Sequence, residues 1–568
     1  MKRLFCLSLL ILLMISGSVG SAQTLDYDGL RFTLLPDLAS KNYSGYVFVR
    51  VLIANASGRE RNLRIFIKSD YSRDIEEVSR KFSVSSGGVR EEALFLPISD
   101  FSSAGLRVEV DGVLLRDTLS KYFRSYRNYY TKKQALVDSA IARTDFDAAF
   151  AGTGAKTGFE LEMNQFEGSL SQLYRNWLGY SQFDALIFYA DTIRQMPDTV
   201  RSAVYDYVRA GGFLLSIGDV DLPADFYKCN APDNSATPCY AGGFGRVAIL
   251  GEELFKQAAA GAEQSFVIAN FFSTAVFRND PALKFVDDEI ETVSARWLMA
   301  IIYLFAFLIG PVNVFVLHRI SRKIWVFFTV PFASLLCCSF IYTYYVIYES
   351  STFKIKRQSL TLLDERENRA ITLANYAVFS SRSRPEGFHY DMNTEVYPIT
   401  KDDYRSNDAG RYIFLDEDQH FADGWIKPKV PRYMHIRSIQ NRRERVQLLK
   451  TAAGYDLVNG LGEDIQEIWL LTRDGICWKA SFAKAGEKTQ MQQVGVGMPV
   501  VRSFAAIYDD KWFNCLESLK RHPQDFLSSG TYIARLKASP FLKQAIETAA
   551  ETTDEAYVIG ILKEEPRQ

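Results

Sequence analysis

Along this chain the rhythm of apolar and polar positions changes several times, and each change marks a different kind of element. From residue 46 the rhythm is close to two. Tyr46 to Ile53 reads YVFVRVLI, Leu63 to Ile67 LRIFI and Leu106 to Val110 LRVEV, the alternation of strands that turn one face to a core. Turn sequences separate them, Asn-Ala-Ser-Gly at 55–58 and Ser-Ser-Gly-Gly at 85–88. Residues 25–115 therefore predict a small β-sandwich, within an N-terminal unit of 23–120.

Near residue 130 the rhythm shifts to short, wholly apolar runs set between amphipathic stretches. Ala135 to Val137 predicts a strand, Leu170 to Leu178 an amphipathic helix, and Phe183 to Phe188 (FDALIF) a buried strand. Asp198 to Arg209 predicts a helix stopped by Gly211-Gly212, followed by another buried strand at Phe213 to Ile217. Strands alternating with helices imply parallel pairing through right-handed crossovers, an α/β layer over 130–285. A last strand is expected at Arg246 to Leu250, after a polar loop.

Two runs then carry no charged residue, Trp297 to Leu317 and Ile324 to Tyr348. At 1.5 Å per residue each is long enough to cross about 30 Å of hydrocarbon. The turn between them, 318–323, holds Arg319, Arg322 and Lys323, while Asp287, Asp288, Glu289, Glu291 and Glu349 flank the outer ends. By the positive-inside rule the turn is cytoplasmic and both large regions lie on the other side. Trp297, Trp325, Tyr344, Tyr345 and Tyr348 stand near the ends, at headgroup level. Gly310, Pro311 and Asn313 in the first span and Pro331 in the second are read as packing features of a tight helical hairpin. At the N-terminus, Lys2 and Arg3, an apolar run to Ile15 and a small-residue segment ending at Ala22 have the order of a cleavable signal peptide over 1–22.

Beyond the spans the period-two pattern returns over 349–568. Phe353 to Leu363, Ala370 to Phe379, Tyr412 to Leu415, Ile468 to Leu471, Ile476 to Phe482 and Tyr557 to Leu562 predict strands, with a hairpin turn at 472–475. Asp509 to Arg521 predicts a helix. The expected architecture is multidomain: an N-terminal β-sandwich, an α/β parallel-sheet unit, a two-helix transmembrane hairpin and a mainly-β C-terminal region.

Charge and cysteine placement sharpen this picture. Sixty-six basic and 67 acidic residues give a net charge of −1, so no basic surface calls for a nucleic acid partner. Of the seven cysteines, Cys6 lies in the leader and Cys337 and Cys338 in an apolar span. In an oxidising compartment Cys229 could pair with Cys239 and Cys477 with Cys515; unpaired buried thiols are the other reading.

Phe183 to Asp219 resembles the class I glutamine amidotransferase-like domain. More closely, the chain is similar to bacterial envelope proteins in which that domain precedes transmembrane helices bearing a GPxN segment, here Gly310-Pro311-Val312-Asn313, and a basic turn. Gly243 to Val247 and Tyr532 to Pro540 extend the resemblance over about 130–568. It implies a flavodoxin/amidotransferase-like sheet, and service as an accessory subunit of an export or ABC-type transport assembly. The chemistry departs from that family. An amidotransferase needs a cysteine activated by a histidine, yet the turn after the corresponding strand reads Ser216-Ile217-Gly218-Asp219, and all five histidines lie at residue 318 or later.

No HExxH, paired CxxC, G-x-S-x-G or P-loop occurs, so neither a metal nor a cofactor is expected. Gly242-Gly243-Phe244-Gly245 leads into a strand and is read as a turn, not a phosphate cradle. Asp191 and Asp219 follow adjacent parallel strands, the edge where α/β sheets bind ligands; they could hold a cation or sugar hydroxyls, or merely cap helices. The leading expectation is a non-enzymatic envelope scaffold at the inner membrane, with the lipid bilayer and an envelope protein as partners. A hydrolase or lyase using acidic residues, and a signalling sensor, are the competing expectations.

Overall fold

The computed structural model describes residues 23–39, 45–69, 75–97, 104–116, 119–121, 132–150, 160–166, 169–229, 238–259, 295–320, 323–344, 353–399, 410–428, 430–452, 454–496, 530–542 and 551–563. The expected leader, Cys515, Arg322 and the 509–521 helix lie outside these residues. Strand predominates, arranged in several sheets, together with two apolar helices.

The N-terminal strands form two facing sheets. One is antiparallel, in the order Thr24–Tyr27, Leu30–Leu34, Tyr46–Asn55 and Val89–Pro97. The other contains Glu77–Val84, Arg61–Ser69, Ala104–Val110 and Val113–Leu114 in sequence, with Leu119–Lys121 also paired to Ala104–Val110. Alternate side chains of both meet in one core, Phe32, Val49, Val51 and Ile53 against Ile65, Ile67, Val78 and Val108. This second sheet does not stop at the boundary expected near residue 120. Phe388–Tyr390, Gln419–Ala422 and Tyr412–Phe414 continue it, the last running parallel to Glu77–Val84 with Ile413 opposite Val78. Phe388, Ile413, Phe421 and Trp425 enter the same core.

A seven-stranded sheet follows. Its parallel part has the order Glu160–Gln165, Lys132–Val137, Ala185–Tyr189, Phe213–Ile217 and Gly245–Leu250. Cys239–Gly242 and Tyr227–Cys229 extend it antiparallel. Side chains alternate between two covered faces. Leu136, Leu186, Leu214 and Val247 meet Val200, Val204 and Val208 of the Asp198–Arg209 helix. Ala135, Val137, Ile187 and Leu215 meet Phe146 and Phe255 of the Arg143–Ala149 and Glu252–Ala259 helices.

The helix expected at 170–178 is not formed. Two 3-10 turns, Leu170–Gln172 and Trp177–Gln182, stand there. Asn176 explains the break, because its Oδ1 accepts from Leu178 N at 2.9 Å and so replaces a helical acceptor. The apolar spacing of this stretch instead reflects wholesale burial of Leu173, Tyr174, Trp177, Leu178 and Tyr180.

The C-terminal region builds a nine-stranded sheet in which Phe353–Asp364 runs antiparallel to Arg369–Ser380 and parallel to Glu551–Ile561. A three-stranded sheet, Arg445–Thr451, Gly454–Gly460 and Lys488–Gln490, covers one face. Between the two large regions lie two helices long and apolar enough to cross a membrane, with candidate spans at Ile302–Arg319 and Val326–Thr343. Asn313 Nδ2 donates to Thr329 Oγ1 of the opposite helix at 3.0 Å. Gly310 and Pro311 fall in a π-helical turn, Leu308–Val312, and Pro331 lies inside Val326–Tyr344. A Cβ at Gly310 would meet nothing within 4 Å, so this glycine is not where the helices approach each other.

Candidate functional site

In a sheet whose sequential strands lie in the order 2-1-3-4-5, ligands bind where the crossovers diverge, outside the carboxyl ends of the first and third strands. Here those strands are Lys132–Val137 and Ala185–Tyr189. Asp138 stands directly after the first and is 1% exposed. Its Oδ1 accepts from Ala140 N at 3.0 Å, its Oδ2 from Tyr189 N at 3.0 Å. The carboxylate thus occupies the divergence point and spends both oxygens on backbone donors. Tyr189 faces Phe255 edge-on, with ring centroids 6.5 Å apart. Burial pushes its hydroxyl above the usual range, helped by the negative charges of Asp138, Glu252 and Asp145.

The two aspartates expected at this edge are brought together, by way of a third residue. Asp191 sits in the first turn of the Ala190–Gln195 helix. Arg194 donates from Nη1 to Asp191 Oδ1 at 2.6 Å and from Nη2 to the backbone carbonyl of Asp219. A guanidinium therefore stands where a bound cation was envisaged. The ion pair is open to water, with side chains 50% and 76% exposed, and such pairs are weak. Ser216 is buried and donates to Gly218 O at 2.9 Å, so its hydroxyl faces its own turn.

A denser arrangement of polar groups, not anticipated from the sequence, lies where residues before and after the apolar helices meet. Arg209, at the end of the Asp198–Arg209 helix, donates to Asp225 from Nε at 2.6 Å and Nη2 at 2.8 Å, and to Asp206 from Nη1 at 2.8 Å. Arg369 from the C-terminal sheet reaches the same Asp225 at 3.4 Å. Burial pushes the Asp225 carboxyl up, but the hydrogen bonds and charge of Arg209, with Arg369 behind it, hold it below the usual carboxylate range. Arg437 pairs with Glu395, which is 1% exposed, and donates from Nη1 to Ala210 O at 2.9 Å, with its guanidinium over the Trp177 ring. Trp177 Nε1 donates to Asn393 O at 3.2 Å.

Two further contacts belong to the seam. The Tyr46 hydroxyl accepts from Val396 N at 2.9 Å and donates to Gln419 Oε1 at 3.0 Å. The Gly242-Gly243-Phe244-Gly245 turn is a docking finger. Phe244, 1% exposed, packs among Leu360, Ile371, Leu373, Ile533 and Ile559 of the nine-stranded sheet. At Gly243, with φ +58°, a Cβ would lie 2.4 Å from Arg209 O and 2.7 Å from Ile371 Cδ1. Only glycine fits so close an approach.

Of the expected disulfide partners, Cys229 and Cys239 stand directly opposite each other in the Tyr227–Cys229 and Cys239–Gly242 ladder, both buried. Cys477 is buried in the nine-stranded sheet. Arg319 is exposed at the end of the Asn313–Arg319 helix. Among the described residues, no group of three or more histidine, cysteine or acidic side chains is placed to hold a metal ion.

No family model and no curated protein matches the chain. Among solved structures, a Paenibacillus cycloisomaltooligosaccharide glucanotransferase aligns over 31% of this chain and 26% of its own, at 11% identity and a TM-score of 0.16. A beta-galactosidase from Bacteroides fragilis, described as putative, aligns over 34% and 39%, at 12% identity and a TM-score of 0.16. The yeast delta-COP-I mu-homology domain aligns over 37% of this chain and 96% of its own, at 6% identity and a TM-score of 0.15. The chain spans about a quarter of the glucanotransferase and two fifths of the galactosidase, and scores this low carry no argument about fold or activity.

Proposed function

We propose that this protein is a non-enzymatic, membrane-anchored scaffold: a leader over 1–22 directs export, a two-helix hairpin holds the chain in the inner membrane, and one extracytoplasmic body binds an envelope protein. The observation that carries the reading is the seam. Tyr412–Phe414 pairs with Glu77–Val84, and Arg369 and Arg437 close on Asp225 and Ala210 O. A ladder and ion pairs of this kind cannot form through a bilayer, which supports a common side for the described residues of 23–259 and 353–563. An even number of crossings fits that reading, and among the described residues two apolar helices offer that number.

Exposure of the helices supports membrane insertion. Phe327 is 79%, Tyr303 71% and Phe328 70% exposed, large apolar side chains that lipid would cover and water would not. The cationic turn supports a shared side outside the cytoplasm. Binding is favoured over hydrolysis because Asp138 is committed to two backbone donors and Asp191 to Arg194. The α/β sheet, amidotransferase-like in its pattern, then serves as a platform. An accessory role in an export or ABC-type transport assembly fits this arrangement. Crosslinking in intact membranes followed by mass spectrometry tests the scaffold: a reproducible envelope protein linked to the extracytoplasmic body is expected, and repeated recovery of none would contradict it.

A further inference from the structure

The edge of the seven-stranded sheet ends in an unusually short strand, Tyr227–Cys229, hydrogen-bonded on one side to Cys239–Gly242. Three residues of ladder make a weak edge. The final pair of that ladder is Cys229 opposite Cys239. Directly opposed residues of an antiparallel pair have Cα atoms about 4.5–5.5 Å apart, inside the roughly 4.4–6.8 Å window a disulfide requires. Opposed side chains also point to the same face. Both cysteines accordingly belong to one apolar cluster, with Ala241, Ala248 and Phe213, whereas Cys477 packs in a different one.

We propose that Cys229 and Cys239 are joined by a disulfide in the mature protein, stapling Tyr227–Cys229 to Cys239–Gly242, the last ladder of the sheet among the described residues. The oxidising setting it needs rests on the extracytoplasmic reading given above. The bond forms during folding, before the pair is buried, by exchange with a protein disulfide of the dithiol-oxidase class. The Cys229 thiolate attacks a sulfur of the donor disulfide, giving a mixed disulfide and a donor thiolate. The Cys239 thiolate then attacks Cys229 Sγ and expels the second donor thiolate. Two thiols of this chain lose two protons and two electrons, and the donor disulfide becomes a dithiol. The staple turns a frayable three-residue edge into a fixed one.

Non-reducing peptide mapping of the full-length protein tests this, after alkylation under denaturing conditions directly from its native membrane. A 229–239 linked peptide that disappears on reduction is expected, and in Cys239→Ser the Cys229 side chain should become fully alkylated. Recovery of both native cysteines as alkylated thiols would overturn the proposal. A second arm assigns the cause of such a failure: the reduced full-length protein in detergent is incubated with oxidised glutathione. Linkage there, but not in the membrane, would place the fault in the compartment and so in the topology. Absence of linkage in both would place it in the geometry of the pair.

Discussion

Arginine holds two parts of this molecule together in opposite ways. At the carboxyl edge of the parallel sheet, Arg194 pairs with Asp191 in water, both side chains at least half exposed. At the seam, Arg437 and Arg209 pair with Glu395 and Asp225 where every side chain is about one-tenth exposed or less. The first pair loses little if broken, because solvent screens it and accepts the freed charges. The second would strand a carboxylate inside protein, which costs far more than the pair itself contributes. Charge that looks equivalent in sequence is thus peripheral in one region and structural in the other.

The largest expected effect comes from breaking the seam. Arg437→Met leaves the Glu395 carboxylate buried without its cation, and should lower unfolding stability by about 3–5 kcal/mol; chemical denaturation of the detergent-solubilised chain measures it, and Arg437→Lys should recover part of the loss. Phe244→Ala removes the aromatic plug from the nine-stranded sheet and should cost about 3 kcal/mol. If the finger docks the two regions, protease sensitivity of the α/β sheet should rise more than that of the C-terminal sheet.

Glu365 gives a pH-dependent sharpening of the same comparison. Its Oε1 accepts from Val446 N at 2.8 Å and the Tyr532 hydroxyl at 2.9 Å, with Lys563 N at 3.4 Å from Oε2. These bonds favour the charged form, but burial outweighs them and pushes the carboxyl up to about 7. The folded chain therefore holds this proton more tightly than the unfolded chain does. Its contribution is fully present below the unfolded value near 4.5 and is lost as pH rises through about 7. Relative to Glu365→Gln, the native protein should lose on the order of 2–3 kcal/mol between pH 5 and pH 8; a parallel pH dependence in both proteins would remove Glu365 as the cause. The smallest effect belongs to Arg194→Ala, expected within about 1 kcal/mol and weakening as salt is raised.

Legibility in the sequence followed the range of the interactions. Asp198–Arg209 and Phe213–Ile217 were readable to the residue because their apolar spacing and the Gly211-Gly212 stop act locally. The strand at Glu160–Gln165 and the helix at Arg143–Ala149 leave little trace in the sequence, the first because only Leu161 and Met163 carry its alternation, the second because it spans two turns. At 170–178 a local capping amide overrode a helical spacing. The seam was invisible for a different reason: Ile413 lies opposite Val78, and Tyr46 against Gln419, at separations that leave no periodic trace. The adjacency of the strands before Asp191 and Asp219 is legible in strand order, whereas the place of Asp138, buried after Lys132–Val137, depends on the Glu160–Gln165 pairing, which local pattern does not reveal.

The central claim is that the regions before and after the helical hairpin form one body on one side of a membrane. It is tested most directly by a membrane-impermeant maleimide applied to intact cells carrying Glu60→Cys, Lys484→Cys or Ser321→Cys, with the unsubstituted protein as baseline. Glu60 and Lys484 are exposed, one in each large region. The account predicts labelling at 60 and 484 without opening the cells, and labelling at 321 only after the membrane is broken. Protection of 60 or 484 while the other reacts would contradict it.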